Sequence, residues 1–180
     1  MSTITTVNIG TFENYPIQPF HLGNILMEVF GEKPIQSQPI NSSSSKLSDF
    51  AKELPLRILV AEDCSIHQTI ALRILRSLGY TADVVNNGVE ALEKLRQHHY
   101  DVLLTDVKMP EMGGLEVARW ICQEWSLEER PCMIAITSEV MPDVREECLK
   151  AGMNECVSKP LQINELVQVL RTCPFSKEKL

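Results

Sequence analysis

Hydrophobic positions in this chain change their period repeatedly, and the changes mark out its elements. Arg57-Ile58-Leu59-Val60-Ala61 is a short apolar run that reads as a buried strand and closes on Glu62-Asp63. Ser65 is placed to cap the helix that follows. The apolar positions of that helix are Ile66, Ile70, Leu72, Ile74, Leu75 and Leu78, and Gly79 stops it. Residues 81–85 form a second strand, and Asn86-Asn87-Gly88 turns into a helix from Val89 to about His98. Val102–Asp106 is a third apolar strand ending on a carboxylate, with Pro110 and Gly113-Gly114 as breakers beyond it. A helix over 114–125, a strand at Cys132–Thr137 and a helix opened by Pro142 and ended by Gly152 come next. Glu155–Ser158 leads to Lys159-Pro160, and Ile163, Leu166, Val167 and Leu170 give the last helix. Five apolar strands alternating with five amphipathic helices predict an α/β fold, a doubly wound five-stranded parallel sheet covered on both faces. Its crossovers should be right-handed.

Residues 1–54 are built differently. They hold Pro16, Pro19, Pro34, Pro39 and a run of serines at 42–45, and they read as a largely disordered, flexible extension. Within it Leu22, Ile25, Leu26, Val29 and Phe30 recur at helical spacing, with Gly31 and Pro34 as stops, so a short amphipathic helix is expected near 20–30. It is either transient or docked on a partner. The division is an extension at 1–54, a domain at 56–172 and a tail at 173–180.

Composition narrows the function classes. A net charge of −7 over 180 residues argues against a nucleic-acid footprint. No apolar run reaches the roughly 18 residues of a membrane span. The first residues lack a basic segment followed by an apolar one, so no secretory leader is read. These features predict a cytoplasmic protein with neither nucleic acid nor membrane as partner. The six cysteines are scattered and form no CxxC, so they are expected to be reduced and partly buried rather than a zinc site or disulfide framework.

Candidate chemistry gathers at the strand ends, where open α/β sheets bind their ligands. Glu62 and Asp63 follow the first strand, Asp106 ends the third, Thr137 ends the fourth and Lys159 follows the fifth. Carboxylates crowded into one crevice need a cation, and hard oxygen donors suit Mg²⁺. A lysine opposite would hold a phosphate oxygen as a point charge, and a threonine hydroxyl could do the same. The set fits a carboxylate nucleophile that accepts a phosphoryl group.

The stretches ILVAED, LRILRSLGY, LLTDVKMPEMGGLE, IAIT and VSKPL resemble the receiver domain of two-component response regulators, most of all receivers attached to hybrid sensor histidine kinases. The resemblance covers about residues 56–172 and implies the flavodoxin-like (βα)5 receiver fold. It implies that Asp106 is the phosphoacceptor. It implies that Glu62, Asp63, Asp106 and the backbone carbonyl of Lys108 hold Mg²⁺, directly or through water. Lys159 would pair with the acyl phosphate, and Thr137 would be the switch hydroxyl. The donor would be a phosphohistidine on a histidine kinase or histidine phosphotransfer domain, within a phosphorelay. A downstream protein or a second copy of the chain would read the phosphorylated state. As no output domain follows the last helix, the expectation is a single-domain regulator, or a fragment of a longer chain, and not a turnover enzyme.

Three positions depart from the family pattern. Cys156 stands where many receivers carry Tyr or Phe, so the aromatic that moves with the threonine is absent. Another surface then reports the state, or signalling ends with phosphotransfer. Cys64 follows the acidic pair where Asn is frequent, and Gly113 replaces a common Asp. Lys108 and Glu139 should rim the pocket, either paired across its mouth against the hydrolytic water or as two separate solvated side chains. His67 borders the expected partner-docking face. Three other readings compete. A haloacid-dehalogenase-type phosphatase would need a second Asp where Lys108 stands. A flavodoxin-like cofactor binder would need a phosphate loop where Glu62-Asp63 stand. A phosphorylation-independent scaffold or adaptor would need none of the acidic set.

Overall fold

A computed structural model describes residues 49–138 and 141–174. The helix expected near 20–30, Glu139 and the tail beyond 174 lie outside the described residues. The elements run α1 (Phe50–Glu53), β1 (Ile58–Ala61), α2 (Ser65–Ser77), β2 (Ala82–Val85), α3 (Gly88–Gln97) and β3 (Val102–Asp106). They continue with α4 (Gly114–Glu124), β4 (Cys132–Thr137), α5 (Pro142–Lys150), β5 (Glu155–Ser158) and α6 (Ile163–Thr172). The five strands form one sheet in the order β2-β1-β3-β4-β5, every pairing parallel. The predicted α/β architecture and its five strands are therefore present.

Alternation along each strand decides what each face buries. Ile58, Val60, Val102, Leu104, Ile134, Ile136 and Val157 pack with Ala71 and Leu75 of α2 and Leu166, Val169 and Leu170 of α6. Leu59, Ala61, Leu103, Met133, Ala135 and Cys156 point the other way, onto Ala91 and Leu92 of α3, Val117, Ala118 and Ile121 of α4, and Cys148 of α5. Strands buried on both sides are the reason the runs are continuously apolar. The helices end where turn chemistry says they should. Gly79 and Gly152 take positive φ of 91° and 96°, and Asn87 caps α3 by accepting from Glu90 N–H at 2.9 Å.

Register brings the strand ends level. Ala61 lies opposite Thr105, Asp106 opposite Ile136 and Thr137 opposite Ser158. The chain moves outward from β1 to β2 and then crosses back to β3, so the crevice opens between β1 and β3. Asp106 stands at that crevice.

Three expectations are corrected. First, residues 49–54 are not part of a loose extension. Phe50 is buried, lies edge-on to Tyr80 with centroids 6.1 Å apart, and carries the Arg171 guanidinium 5.2 Å above its ring. The Tyr80 hydroxyl donates to Leu54 O at 2.6 Å, and Ala51 N–H donates to Leu78 O at 3.0 Å. One aromatic in a polar stretch carries no period, so the pattern missed it. Second, Ser65 is the first helical residue rather than the cap. Cys64 stands at the cap without a side-chain bond, and the Glu62 carboxylate accepts from Cys64 N–H at 3.2 Å. Third, not all the cysteines are free. Cys132 and Cys173 form a disulfide, with Cα atoms 6.0 Å apart across a sequence separation of 41. It joins the start of β4 to the end of α6. Cys64, Cys122, Cys148 and Cys156 are free thiols. No helix among the described residues is long and apolar enough to cross a membrane.

Closing a loop of this length should contribute about 2–4 kcal/mol through the unfolded chain. Reduction, or Cys173→Ser, should lower the denaturant midpoint accordingly. Identical midpoints for the oxidised and reduced protein would show that the bond adds nothing.

Candidate functional site

Asp106 is the last residue of β3, where the strand's hydrogen bonds to β4 hold its backbone. The turn beyond it is tight. Gly114 opens α4 with its N–H donating to Val107 O at 3.1 Å, and a Cβ there would run into Asp106 O and the Thr105 side chain. Only glycine lets α4 start so close to the strand end. The Asp106 carboxylate accepts from the Lys108 N–H at 3.1 Å through Oδ1. Through Oδ2 it meets Lys159 Nζ at 2.5 Å.

Glu62 and Asp63 reach the same point from β1. A carboxylate oxygen from each of Glu62, Asp63 and Asp106 lies within 4.8 Å of the others. Glu62 is 2% exposed and Asp106 8%, whereas Asp63 faces solvent. Burying two anions costs far more than leaving them wet, unless a counter-charge follows them in. Lys159 supplies it. Its Nζ contacts Glu62 Oε2 at 2.7 Å as well as Asp106. Burial alone would lower the pKa of Lys159, but hydrogen bonds and charge from Asp106 and Glu62 outweigh it and hold the ammonium above its ordinary value.

Lys159 arrives on a short loop after β5. Its N–H donates to Thr137 O at 2.7 Å, and its bond to Pro160 is cis. Thr137, 6% exposed, ends β4 beside it. The residues proposed from the strand ends (Glu62, Asp63, Asp106, Thr137 and Lys159) thus share one edge of the sheet. The Lys108 side chain is exposed beyond them. Cys156 is buried on the opposite face of β5 from Val157, against Cys148, whose thiol burial pushes up to about 11.

Gln68 escaped the sequence reading, and His67 was expected only at the border of the docking face, not against Glu62 and Lys159. His67 Nδ1 lies 3.0 Å from Glu62 Oε1 and 3.2 Å from Lys159 Nζ. Gln68 Nε2 donates to Glu62 O at 2.7 Å and to Asn86 Oδ1 at 3.1 Å, tying the loop after β1 to the loop after β2. Both sit in the first turn or so of α2, and their one signal was proximity in sequence to Glu62. Beside them Ile66 and Ile70, expected to be core positions of α2, are instead exposed. They line a cavity of about 360 Å³ together with Val60, Ile136, Lys159 and Leu161.

Chemically, this edge offers three hard oxygen donors, a fixed ammonium and a hydroxyl-bearing strand end. The donor set fits a small divalent cation that keeps part of its water shell. The arrangement can present one carboxylate oxygen to an electrophilic phosphorus while cationic groups hold the phosphoryl oxygens.

Comparison with known proteins identifies a family and a fold. The sequence model of the response regulator receiver domain matches residues 58–171. The aerobic respiration control sensor protein ArcB of Escherichia coli is 34% identical over 116 residues, which is 64% of this chain and 15% of ArcB. The sensor histidine kinase RcsC of Escherichia coli is 30% identical over 152 residues, 84% of this chain and 16% of RcsC. The chain thus spans a small part of the length of these curated relatives. Among solved structures, the receiver domain of the sensor histidine kinase PA1611 of Pseudomonas aeruginosa has a TM-score of 0.58 and 35% identity. The match covers 64% of this chain and 94% of that one. That structure has a magnesium ion coordinated in its active-site cleft. The receiver of Saccharomyces cerevisiae Ssk1, solved with the histidine phosphotransfer protein Ypd1, shares the fold at a TM-score of 0.58 and 21% identity, over 64% of this chain and 86% of that one.

The charge balance of the site predicts the effect of removing the Lys159 ammonium. Lys159→Met leaves the buried carboxylates of Glu62 and Asp106 without the ammonium that bridges them. In metal-free buffer it should cost about 2–4 kcal/mol in chemical denaturation. A variant as stable as the parent would show that Lys159 does not balance these carboxylates.

Proposed function

The chain belongs to the response regulator receiver family, and from that premise we propose that Asp106 accepts a phosphoryl group from a phosphohistidine in a two-component phosphorelay. The observation that carries the reading is the convergence of Glu62, Asp63, Asp106 and Lys159 on one strand edge. Asp106 Oδ2, now engaged by Lys159, is the oxygen positioned to attack. Glu62, Asp63, Asp106 and the backbone carbonyl of Lys108 would hold Mg²⁺, which supplies charge neutralisation at the phosphoryl oxygens. Lys159 would move from the carboxylate to a phosphoryl oxygen, and Thr137 would turn its hydroxyl to another. The protein is a signalling acceptor in this reading, and any turnover is self-catalysed transfer and hydrolysis. The same reading places it in the cytoplasm.

The partner is a histidine kinase or histidine phosphotransfer domain. Ile66 and Ile70 support this. Apolar side chains on the first turns of α2, beside the cavity that opens at Lys159, offer a surface for the apolar face of a helix carrying the donor histidine.

The core of the reading is tested by intact mass after incubation with Mg²⁺ and a small phosphodonor such as phosphoramidate. One phosphoryl group should be added, and it should be missing in Asp106→Asn or without Mg²⁺. An adduct of the same size on Asp106→Asn would overturn the assignment. The docking surface is tested separately. Ile66→Glu should keep phosphoramidate labelling and lose transfer from a phosphorylated histidine phosphotransfer domain by about tenfold or more. Equal transfer to the variant and the parent would remove Ile66 from the interface.

A further inference from the structure

The peptide between Glu62 and Asp63 lies beyond the last rung of the β1–β2 ladder, the Ala61–Val85 pair. One more main-chain bond continues the pairing, Glu62 N–H donating to Val85 O at 3.1 Å. After it the chain leaves the sheet and turns into α2. The carbonyl of Glu62 is held there by a side chain in place of a strand. Gln68 Nε2 donates to Glu62 O at 2.7 Å and to Asn86 Oδ1 at 3.1 Å. A carboxamide NH₂ has two N–H groups, and both are used. The backbone of Gln68 is itself fixed in the first turn of α2, its N–H donating to Cys64 O at 2.9 Å.

The orientation of both amides follows from their partners. Glu62 O is a carbonyl and only accepts, so the Gln68 atom facing it carries hydrogen. Asn86 Nδ2 donates to Glu90 Oε2 at 3.1 Å, and the same oxygen accepts from Asn86 N–H at 2.9 Å. That turns Asn86 Oδ1 toward Gln68. Neither bond made by Gln68 involves a group that titrates. The turn Asn86-Asn87-Gly88 is anchored on its other side as well. Gly88 N–H donates to Met112 O at 3.0 Å, in the loop after β3, and Asn87 caps α3. A Cβ at Gly88 would run into Met112 O and the Val117 side chain. A connected set of bonds thus runs from the loop that follows Asp106, through the β2–α3 turn, to the peptide that joins the two acids.

We propose that Gln68 is a positioning residue for the acidic pair: it fixes the plane of the Glu62–Asp63 peptide against Asn86, and so sets the angle between the two carboxylates that would share Mg²⁺. This rests on the metal reading of Glu62, Asp63 and Asp106. The bond goes to the main chain of Glu62, so Gln68 acts through the peptide and is not itself a ligand. One peptide plane aims two side chains. The Glu62 carboxylate turns into the buried side of the site, 2% exposed, while Asp63 faces solvent. Mg²⁺ demands near-ideal octahedral geometry, so donors held off their angle lose affinity even where all of them are present.

The test compares Gln68→Met, Asn86→Ala and the double variant with the parent. Methionine keeps the length and helix preference of glutamine and removes both donors. Mg²⁺ affinity is read from backbone amide shifts during a titration, at a temperature where each variant is fully folded, so a loss of global stability alone leaves the constant unmoved. Gln68→Met should bind Mg²⁺ about fivefold more weakly or worse, Asn86→Ala should lose part of this, and the double variant should stay within about twofold of Gln68→Met. A Gln68→Met affinity equal to the parent's overturns the proposal. So does a double variant whose losses multiply, since the two side chains would then act separately. Spectra in metal-free buffer read the peptide itself. The nitrogen resonance of Asp63, bonded to the Glu62 carbonyl carbon, should move in Gln68→Met. In the parent, the Gln68 side-chain amide protons should exchange with water more slowly than those of exposed Gln97. An unmoved Asp63 resonance, or equal exchange at Gln68 and Gln97, would overturn the proposal whatever the Mg²⁺ affinity. A parent that binds no Mg²⁺ would overturn the metal reading and the proposal with it, whereas a parent that binds and a Gln68→Met variant that matches it overturn the proposal alone.

Discussion

Like charge crowded at one sheet edge is the constraint on which the rest of this molecule turns. Glu62, Asp63 and Asp106 bring carboxylate oxygens within 4.8 Å of one another, and two of the three side chains are buried. Such a cluster is stable only if something positive is held inside it. Lys159 is that charge, and much of the architecture serves to deliver it. The parallel register sets β1, β3, β4 and β5 level, and the Thr137 O to Lys159 N–H bond fixes the loop after β5. Gln68 ties the β1 loop to its neighbour, and Gly114 lets α4 begin against the carbonyl of Asp106. With three anions against one lysine the site is still short of positive charge. A second cation therefore fits the same electrostatic need that holds Lys159 there.

Most of this was legible in the sequence because burial on both faces leaves a strong trace. Strands such as Leu103-Leu104 and Ile134-Ala135-Ile136 have no solvent face, so they read as unbroken apolar runs, and the polar residue ending each run marks the edge of the sheet. The candidate site is a set of such ends, which is why pattern alone puts Asp106, Thr137 and Lys159 at this edge of the sheet. What stayed hidden depends on distances between segments far apart in sequence. Cys132 and Cys173 meet because α6 runs back to the edge where β4 begins, and no spacing rule encodes that return. Phe50 is held by Tyr80 and Arg171, both remote from it. Ser65 looked like a cap because it has the right chemistry. It lost the position because the chain enters the helix one residue earlier and the Glu62 carboxylate reaches the Cys64 N–H first. Ile66 and Ile70 fit the apolar spacing of α2 yet lie on its outer side, so periodicity alone overstated the core.

The absent aromatic at position 156 bears on how a change at the site could be felt elsewhere. Cys156 fills its place with a small, buried side chain packed against Cys148, and burial raises both thiols, so the pair behaves as core rather than as reactive sulfur. There is no ring here to swing between two positions. The connections from the site toward α5 are main-chain and ionic. Lys159 N–H is held by Thr137 O, β4 and β5 pair along Thr137 and Ser158, and Arg145 of α5 grips Glu155 of β5 through bonds of 2.9 and 3.0 Å. A bidentate guanidinium–carboxylate pair fixes orientation as well as distance. Thr137 is thus joined to β5 through the ladder and β5 to α5 through Arg145, with no aromatic side chain among these connections.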